Sequence, residues 1–165
     1  MKNKPEKHTV LAWARLLKAS AGLLAEVEKA LKQAGLPPLN WYDVLLEVSR
    51  AGPTGLRQSD IAREVLLPKH NLSRLIDRME NQGVVTRSGC DSDGRAKQVC
   101  LTDIGETLLR KMWQVYGAEI QTRLGEPLSD AQQHALAEIA GILLDQESRH
   151  RGGKSALKTG MAHRC

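Results

Sequence analysis

The chain has 165 residues, of which 41% are hydrophobic and 26% are charged, a balance typical of one globular domain of ordinary size. Its aromatic residues are three Trp and two Tyr with no Phe, so we expect an aliphatic core of packed helices rather than a β-sandwich. A chain of this length folds without a disulfide or a structural metal, and no apolar run approaches the roughly 18 residues of a membrane span.

The first predicted helix covers residues 10–34, where apolar residues recur at helical spacing. Gly35 and the two prolines after it end this helix. We expect Asn40 to be the N-cap of the second helix, which stops at Gly52 and Pro53.

Two short helices follow. Residues 57–66 are predicted as a helix with Ser59 as its N-cap, and the next helix has Pro68 in its first turn and Gly83 after its end. The second of these helices has an aliphatic stripe that we expect to face inward, formed by Leu72, Leu75, Ile76 and Met79. Its outward face carries Lys69, His70, Asn71, Ser73, Arg74, Asp77 and Arg78.

A β-hairpin is predicted after Gly83, where two short β-prone runs flank an Asp93-Gly94 pair. A two-residue turn at this pair places Cys100 opposite Arg87. Cys90 and Cys100 are then about three residues, or roughly 10 Å, out of register for a disulfide, whereas a longer loop could pair them.

Two longer helices complete the chain before a basic tail. Thr102 is expected to cap the first, and the capping box Ser129-x-x-Gln132 begins the last. Residues 149–165 are expected to be a disordered, solvated tail. Contact of this tail with nucleic acid is an alternative that stays open. The tail has five basic residues and no acidic one, namely Arg149, Arg151, Lys154, Lys158 and Arg164. The summed charge of these five residues equals the net charge of the whole chain, +5.

The cysteine content and the motifs argue against a metal site or an enzyme. Three cysteines and the lack of a signal-peptide pattern are typical of a reducing cytoplasm. No CxxC, HExxH or Gly-rich phosphate loop occurs, and Asp91 and Asp93 lack the later Glu of a calcium loop. We therefore expect no metal, no cofactor, no catalysis and no membrane contact.

The order of these elements is typical of a helix-turn-helix followed by a wing, in which the second short helix is narrow enough for the DNA major groove. Arg74 and Arg78 lie four residues apart and so share one helix face. An amphipathic helix alone does not require a ligand, so the preceding helix and the hairpin are what favour DNA binding.

Three stretches follow one another in this region: L-R-Q-S-D-I-A-R-E-V-L-L-P-K-H-N-L-S-R-L-I-D-R-M-E-N-Q-G-V-V-T-R, then D-S-D-G-R, then V-C-L-T-D-I-G. Together they resemble the MarR family of bacterial transcription regulators. The resemblance implies a mostly α fold in which a winged helix-turn-helix with a small β-hairpin wing (39–103) is flanked by dimerisation helices (8–35 and 104–148). It also implies a cytoplasmic homodimer that binds a pseudo-palindromic operator in double-stranded DNA. Such a protein would be a repressor that a small phenolic or aromatic ligand releases.

The resemblance further implies DNA contacts from the recognition helix, the helix before it and the wing. These residues are Arg57, Gln58, Ser59, Lys69, His70, Asn71, Ser73, Arg74, Arg78, Asp93, Arg95 and Lys97. Arg95 would be the wing-tip contact, braced by Asp93. Pro68 stands where family members often have a Ser that caps the recognition helix, so Arg74 and Arg95 are stronger candidates for base readout than Lys69 and His70.

An effector site is a second implication, and two alternatives stay open. The aromatic side chains on helices that would line the cleft between the dimer arms and the DNA-binding lobe are Trp13, Trp41, Tyr42, Trp113 and Tyr116. Each of them is otherwise an ordinary core aromatic. The alternatives are an oxidation switch through Cys90 and Cys100, and a winged helix that binds a protein or RNA.

Overall fold

The computed structural model describes residues 4–65, 69–88 and 97–150, with the backbone alone for residues 69, 70 and 147–150. The predictions for Pro68, for the Asp93-Gly94 turn, for Cys90 and Arg95, and for the basic tail beyond residue 150 lie outside the described residues.

The described chain is mostly helical. In order, the elements are α1 (Lys7–Gln33), α2 (Leu39–Arg50), a 3₁₀ turn (Gly52–Thr54), β1 (Leu56–Arg57), α3 (Gln58–Glu64), α4 (Lys69–Asn81), β2 (Val85–Ser88), β3 (Gln98–Leu101), α5 (Asp103–Ile120), a π-helical turn (Gln121–Gly125) and α6 (Asp130–His150). The chain divides into two compact units between Gln121 and Thr122. The first unit contains the helix-turn-helix, α3 and α4, and the wing strands β2 and β3, so the predicted mostly α, winged helix-turn-helix fold is confirmed.

The small sheet has one strand more than the sequence indicated. Its three strands lie antiparallel in the order β1-β3-β2. The two-residue strand β1 was missed because it lies directly before α3, where we predicted helix from Arg57 onward. Its pairing with β3 depends on residues some forty positions away, which no local pattern reveals.

The predicted register of the hairpin was wrong by one residue. Cys100 pairs with Thr86 and Arg87 pairs with Val99, whereas we expected Cys100 opposite Arg87. The Ser88–Gln98 pair encloses nine residues, whereas a regular hairpin with a two-residue turn encloses an even number between paired positions. Since side chains alternate between the two sheet faces, this shift decides which face each residue occupies.

The core of the first unit is aliphatic, as expected. Leu72, Leu75, Ile76 and Met79 of α4 are all buried, which confirms the predicted inward stripe. They pack in one cluster with buried residues of α2, α3, the sheet and α5, including Val44, Leu45, Val48, Ile61, Val85, Val99 and Met112. Each fully buried aliphatic side chain stabilises the fold by about 1.5–3 kcal/mol, so this stripe is what orients α4.

The turn at Gly83 connects α4 to the wing. Gly83 has φ +69°, and its N–H donates to the carbonyl of Glu80 while the N–H of Val84 donates to that of Met79. This is the helix-ending pattern that favours glycine, and it confirms the predicted end of α4.

The start of α5 closes the base of the wing. The Thr102 hydroxyl accepts a hydrogen bond from the Gly105 N–H at 3.1 Å and donates to the carbonyl of Gly83 at 2.6 Å, so the predicted cap is confirmed. A Cβ atom on Gly105 would lie 2.0 Å from the Val84 carbonyl oxygen. The Thr-x-x-Gly pair of the sequence therefore provides a cap and a close backbone approach at the same place.

The predicted N-caps of α2 and α3 were wrong. α2 begins at Leu39, and the Leu39 N–H donates to the Glu28 carboxylate of α1 at 3.1 Å. A tertiary contact thus supplies the acceptor that we assigned to Asn40. α3 begins at Gln58 without a side-chain cap, which places Ser59 inside the first turn.

The second unit contains α6, whose N-terminus has the predicted capping box. The Ser129 N–H donates to Gln132 Oε1 at 2.9 Å, and the Gln132 N–H donates to Ser129 Oγ at 3.4 Å. Within residues 4–65, 69–88 and 97–150, no helix combines the length and the apolar character that a membrane span requires.

Candidate nucleic-acid interface

The outward face of α4 is polar and accessible. Asn71, Arg74 and Arg78 are exposed and Ser73 is half-buried, while the opposite face of the helix is the buried aliphatic stripe. The two arginines lie one helical turn apart on the same side of α4. Lys69 and His70 belong to the first turn of the helix, and their side chains lie outside the description.

The other predicted contacts lie on β1, α3 and the start of β3. Arg57 is exposed on β1, opposite Gln98 of β3, and the exposed Lys97 directly precedes that strand. Ser59 is exposed and Gln58 half-buried in the first turn of α3. The structure therefore brings the cations Arg57 and Lys97 to the same end of two paired strands.

An ion-pair network that we did not predict joins α4 to the wing. The Arg87 guanidinium on β2 donates to the carboxylates of Glu80 and Asp77 on α4, and the Arg87 backbone N–H donates to Glu80 Oε1 at 3.1 Å. Burial acts to lower the pKa of Arg87, but the hydrogen bonds and negative charges of both acids raise it overall. The network holds β2 against α4. The sequence shows the acids Asp77 and Glu80 among the basic residues of α4, but it does not identify Arg87 as their partner.

This network also sets the charge that α4 presents. Asp77 is the acid between Arg74 and Arg78 in sequence, and its pairing with Arg87 directs its negative charge toward the wing. The exposed arginines of α4 therefore face solvent beside an already neutralised acid. An array of this kind suits phosphates and the acceptor edges of bases.

A cavity of about 630 Å³ lies between the N-terminus of α2 and α4. Asn40 lines it from α2, and Asn71, Arg74, Asp77 and Arg78 line it from α4, with Leu75 beside them. Asn40 was no part of our predicted site because we interpreted it as a helix cap.

Three of the five aromatic residues proposed for an effector site form one cluster. Tyr42 of α2 lies 6.2 Å from Trp113 and 5.2 Å from Tyr116, centroid to centroid, and the last two rings are 6.2 Å apart. Burial, and then the neighbouring negative charge of Asp43, raise the pKa of Tyr116, and burial likewise raises that of Tyr42. Both phenols thus remain protonated hydrogen-bond donors.

The other two aromatic residues lie elsewhere. Trp13 is 63% exposed on α1, and Trp41 is buried in the core. Within the described part of the chain, the ring contacts do not include either of them.

Asp43 lies on α2 close to the aromatic cluster and to two other acids. Its pKa is raised above the ordinary value of 3.8 by burial and by the charges of Glu47 and Glu28. The folded protein therefore favours the ionised form of Asp43 less than the unfolded chain does, although the side chain is exposed.

The thiol of Cys100 lies inside the sheet region. It is half-buried, with Sγ 3.4 Å from Ser88 Oγ and 4.0 Å from the Pro53 carbonyl oxygen. Its proposed partner Cys90 is outside the described residues, so the redox alternative remains a hypothesis.

The sequence and the fold are similar to those of known transcription regulators. Residues 34–96 match the model of the MarR family. AbsC, a MarR family transcriptional regulator from Streptomyces coelicolor, is 28% identical, with a TM-score of 0.79 over 92% of this chain and 100% of that chain.

Two further solved structures are similar. Sco3205, another MarR family regulator from Streptomyces coelicolor, determined in complex with DNA, has a TM-score of 0.82 at 24% identity, over 88% of this chain and 91% of that one. CouR from Rhodococcus jostii RHA1, bound to p-coumaroyl-CoA, is 26% identical with a TM-score of 0.66, over 76% and 85%.

Proposed function

We propose that this chain is a transcription regulator of the MarR family, which its residues 34–96 match, and that it is a repressor that binds a pseudo-palindromic DNA operator as a homodimer. The observation that carries the proposal is α4, whose aliphatic stripe is buried while Asn71, Arg74 and Arg78 stay exposed on its other side. A helix of this kind fits the major groove, and its arginines suit guanine edges and phosphates. The DNA complex of Sco3205 supports this function.

The DNA contacts follow from the arrangement of the exposed cations. Arg74 and Arg78 would read bases or nearby phosphates, and Arg57 and Lys97 would contact the backbone from the sheet. Arg95, with Asp93 as its brace, remains our candidate for the wing-tip contact in the minor groove, by the family resemblance. Lys69, His70, Ser73, Gln58 and Ser59 complete the proposed interface.

The homodimer is supported by apolar side chains that the single chain leaves uncovered. On α1 seven large apolar residues are each at least 37% exposed: Val10, Leu11, Trp13, Leu16, Leu17, Leu23 and Leu24. On α6 five are at least 39% exposed: Leu136, Ile139, Ile142, Leu143 and Leu144. Water contact at so many large apolar groups is unfavourable, so we infer that a second copy covers these helices.

A dimer also explains how a short helix achieves specificity. One recognition helix reads only a few base pairs, and two of them about one helical turn apart (roughly 34–36 Å) read both halves of a pseudo-palindrome. Occupation of such a site within a promoter excludes RNA polymerase, which is the basis for proposing repression.

The test begins with selection of duplexes from a random-sequence pool by the wild-type protein. We expect an inverted-repeat motif, and binding that weakens steeply with salt because phosphate contacts release counterions. Arg74→Ala is expected to reduce affinity about ten- to hundredfold, since one good arginine–guanine pair is worth about 1–3 kcal/mol. Arg110→Ala on α5, whose guanidinium pairs with Glu106, is the control.

Failure of the wild-type protein to enrich any duplex would contradict DNA recognition itself. Equilibrium sedimentation tests the dimer separately, and a monomer at micromolar concentration would contradict that part of the proposal.

We further propose that a small aromatic or phenolic ligand releases the operator by binding beside Tyr42, Trp113 and Tyr116. The cluster offers ring faces and two phenol donors, and CouR in complex with p-coumaroyl-CoA supports an aromatic ligand. A ligand that binds the native state raises the melting temperature, and its stabilisation reaches about 2.7 kcal/mol at one hundred times its Kd. We expect phenolic acids to do so for the wild type but not for Tyr116→Leu, and an equal shift in both would refute this location.

A further inference from the structure

Asn40 has a side-chain oxygen for which the fold provides no donor. Oδ1 is occluded from solvent and has no hydrogen-bond partner, and it is the one such side-chain atom among the residues that the structure describes. The backbone N–H of Leu39, at the start of α2, already donates to the Glu28 carboxylate. This N–H is therefore not a donor for Asn40 Oδ1. A buried acceptor without a donor destabilises the folded state, which calls for an explanation.

The side-chain donors that share a cavity with Asn40 belong to α4. Asn40 lines the cavity of about 630 Å³ that Arg74 and Arg78 line from α4. Asp77, the acid in the same cavity, is already paired with Arg87. The side chains of Asn40, Arg74 and Arg78 therefore line one cavity, although Oδ1 of Asn40 is itself not exposed there.

We infer that Asn40 is a positioning residue for the arginines of α4: in the DNA complex its Oδ1 accepts a hydrogen bond from the guanidinium of Arg74 or Arg78. The inference rests on the proposed DNA-binding function. A guanidinium has five N–H donors in a rigid fork, and a bidentate contact to guanine uses two of them. The remaining donors need acceptors once docking excludes water.

The chemistry of an amide suits this role. A carboxylate at residue 40 would cancel part of the charge that attracts the phosphates, whereas an amide oxygen orients the guanidinium and leaves its charge intact. In the free protein Arg74 and Arg78 are exposed, and Oδ1 is unpaired. Amide rotation or a small adjustment of α2 then brings acceptor and donor together when α4 docks. The unsatisfied oxygen destabilises the free protein, and its hydrogen bond in the complex removes this penalty, so DNA binding is strengthened.

The decisive variant is Asn40→Leu, which removes the acceptor and keeps the number and branching of the side-chain heavy atoms. Removal of an unsatisfied acceptor leaves stability unchanged or raises it, so we expect an equal or higher melting temperature. On the best duplex selected from the random pool by the wild type, we expect affinity to fall about tenfold, equivalent to ~1.4 kcal/mol. Affinity for a duplex of unrelated sequence should not change. Asn81→Leu, at an exposed position outside the cavity on α4, is the matched control.

A double-mutant cycle identifies the partner. Arg74→Lys and Arg78→Lys keep the charge but lose the fork of donors, so residual binding stays measurable. The loss caused by Asn40→Leu should largely disappear in one of these two backgrounds and persist in the other.

Three results would overturn the inference. Unchanged operator affinity in Asn40→Leu would mean that Oδ1 serves only an ordered water. A loss that adds fully to both arginine variants would mean that Asn40 acts by another route. A fall in melting temperature together with equal losses on specific and unrelated DNA would indicate a structural role. If instead the wild type selects no duplex, the proposed function fails first and the inference fails with it.

Discussion

The ion-pair network between α4 and β2 allows a quantitative prediction for Arg87→Ala. Arg87 donates through its guanidinium to Glu80 and Asp77 and through its backbone N–H to Glu80. Alanine keeps the backbone bond and removes both side-chain bonds. The wing strand then remains hydrogen-bonded to the helix at one point, and its orientation relative to α4 is less restricted.

The magnitude follows from the exposure of each partner. The side chain of Arg87 is 19% exposed, that of Glu80 36% and that of Asp77 54%. Hydrogen bonds between charged groups contribute about 1.5–3 kcal/mol when shielded, and exposed ion pairs about 0.2–1 kcal/mol. We assign about 1.5 kcal/mol to the Glu80 pair and about 0.5 kcal/mol to the Asp77 pair, so the free energy of unfolding should fall by about 2 kcal/mol.

The assay is thermal and urea unfolding at one protein concentration, since association affects apparent stability. A loss of about 2 kcal/mol lowers the melting temperature by about 4–8 °C for a chain of this size. Arg110→Ala is the control, because its pairing with Glu106 links two exposed side chains of one helix and is worth only about 0.3–0.5 kcal/mol. Operator affinity of Arg87→Ala should fall about tenfold, since the wing must then be ordered on binding.

A melting temperature for Arg87→Ala equal to that of Arg110→Ala would refute the assignment of energy to the shielded pair. A loss of stability without any loss of operator affinity would show that the network stabilises the fold but does not orient the wing.

Two other substitutions test the packing around α2 and the wing. The pKa of Asp43 is raised in the folded state, so its contribution to stability is fully present below pH about 3.8 and is lost as the pH rises through the folded pKa. Asp43→Asn should therefore raise the melting temperature at pH 7 and leave it unchanged at pH 3. The increase should be less than about 3 °C because the side chain keeps solvent contact. Gly105→Ala places a Cβ atom 2.0 Å from the Val84 carbonyl oxygen and should cost about 3 kcal/mol or more in urea unfolding, whereas Gly117→Ala on the same helix meets ordinary contacts at 3.4 Å or more and should be neutral or stabilising. The same change in melting temperature for Asp43→Asn at pH 3 and at pH 7 would contradict the first interpretation. Equal stability of Gly105→Ala and Gly117→Ala would contradict the second.

The features that the sequence by itself determined are those set by neighbours along the chain. The aliphatic stripe of α4 follows from helical periodicity, and the glycine end at Gly83, the Thr102 cap and the Ser129–Gln132 box each close within a few residues. Such signals are readable because the helix itself provides the geometry that places both partners.

The tertiary structure decided the features that join distant segments. Glu28 of α1 replaces Asn40 as the cap of α2, Arg87 reaches back to α4, and β1 pairs with β3. The hairpin register, too, differs by one residue from the simplest turn. In each case the partner is selected by how packed elements meet in space, and the spacing of residues along one helix or strand contains no information about that meeting. Asn40 therefore changed from a helix cap in the sequence to a candidate positioning residue in the fold.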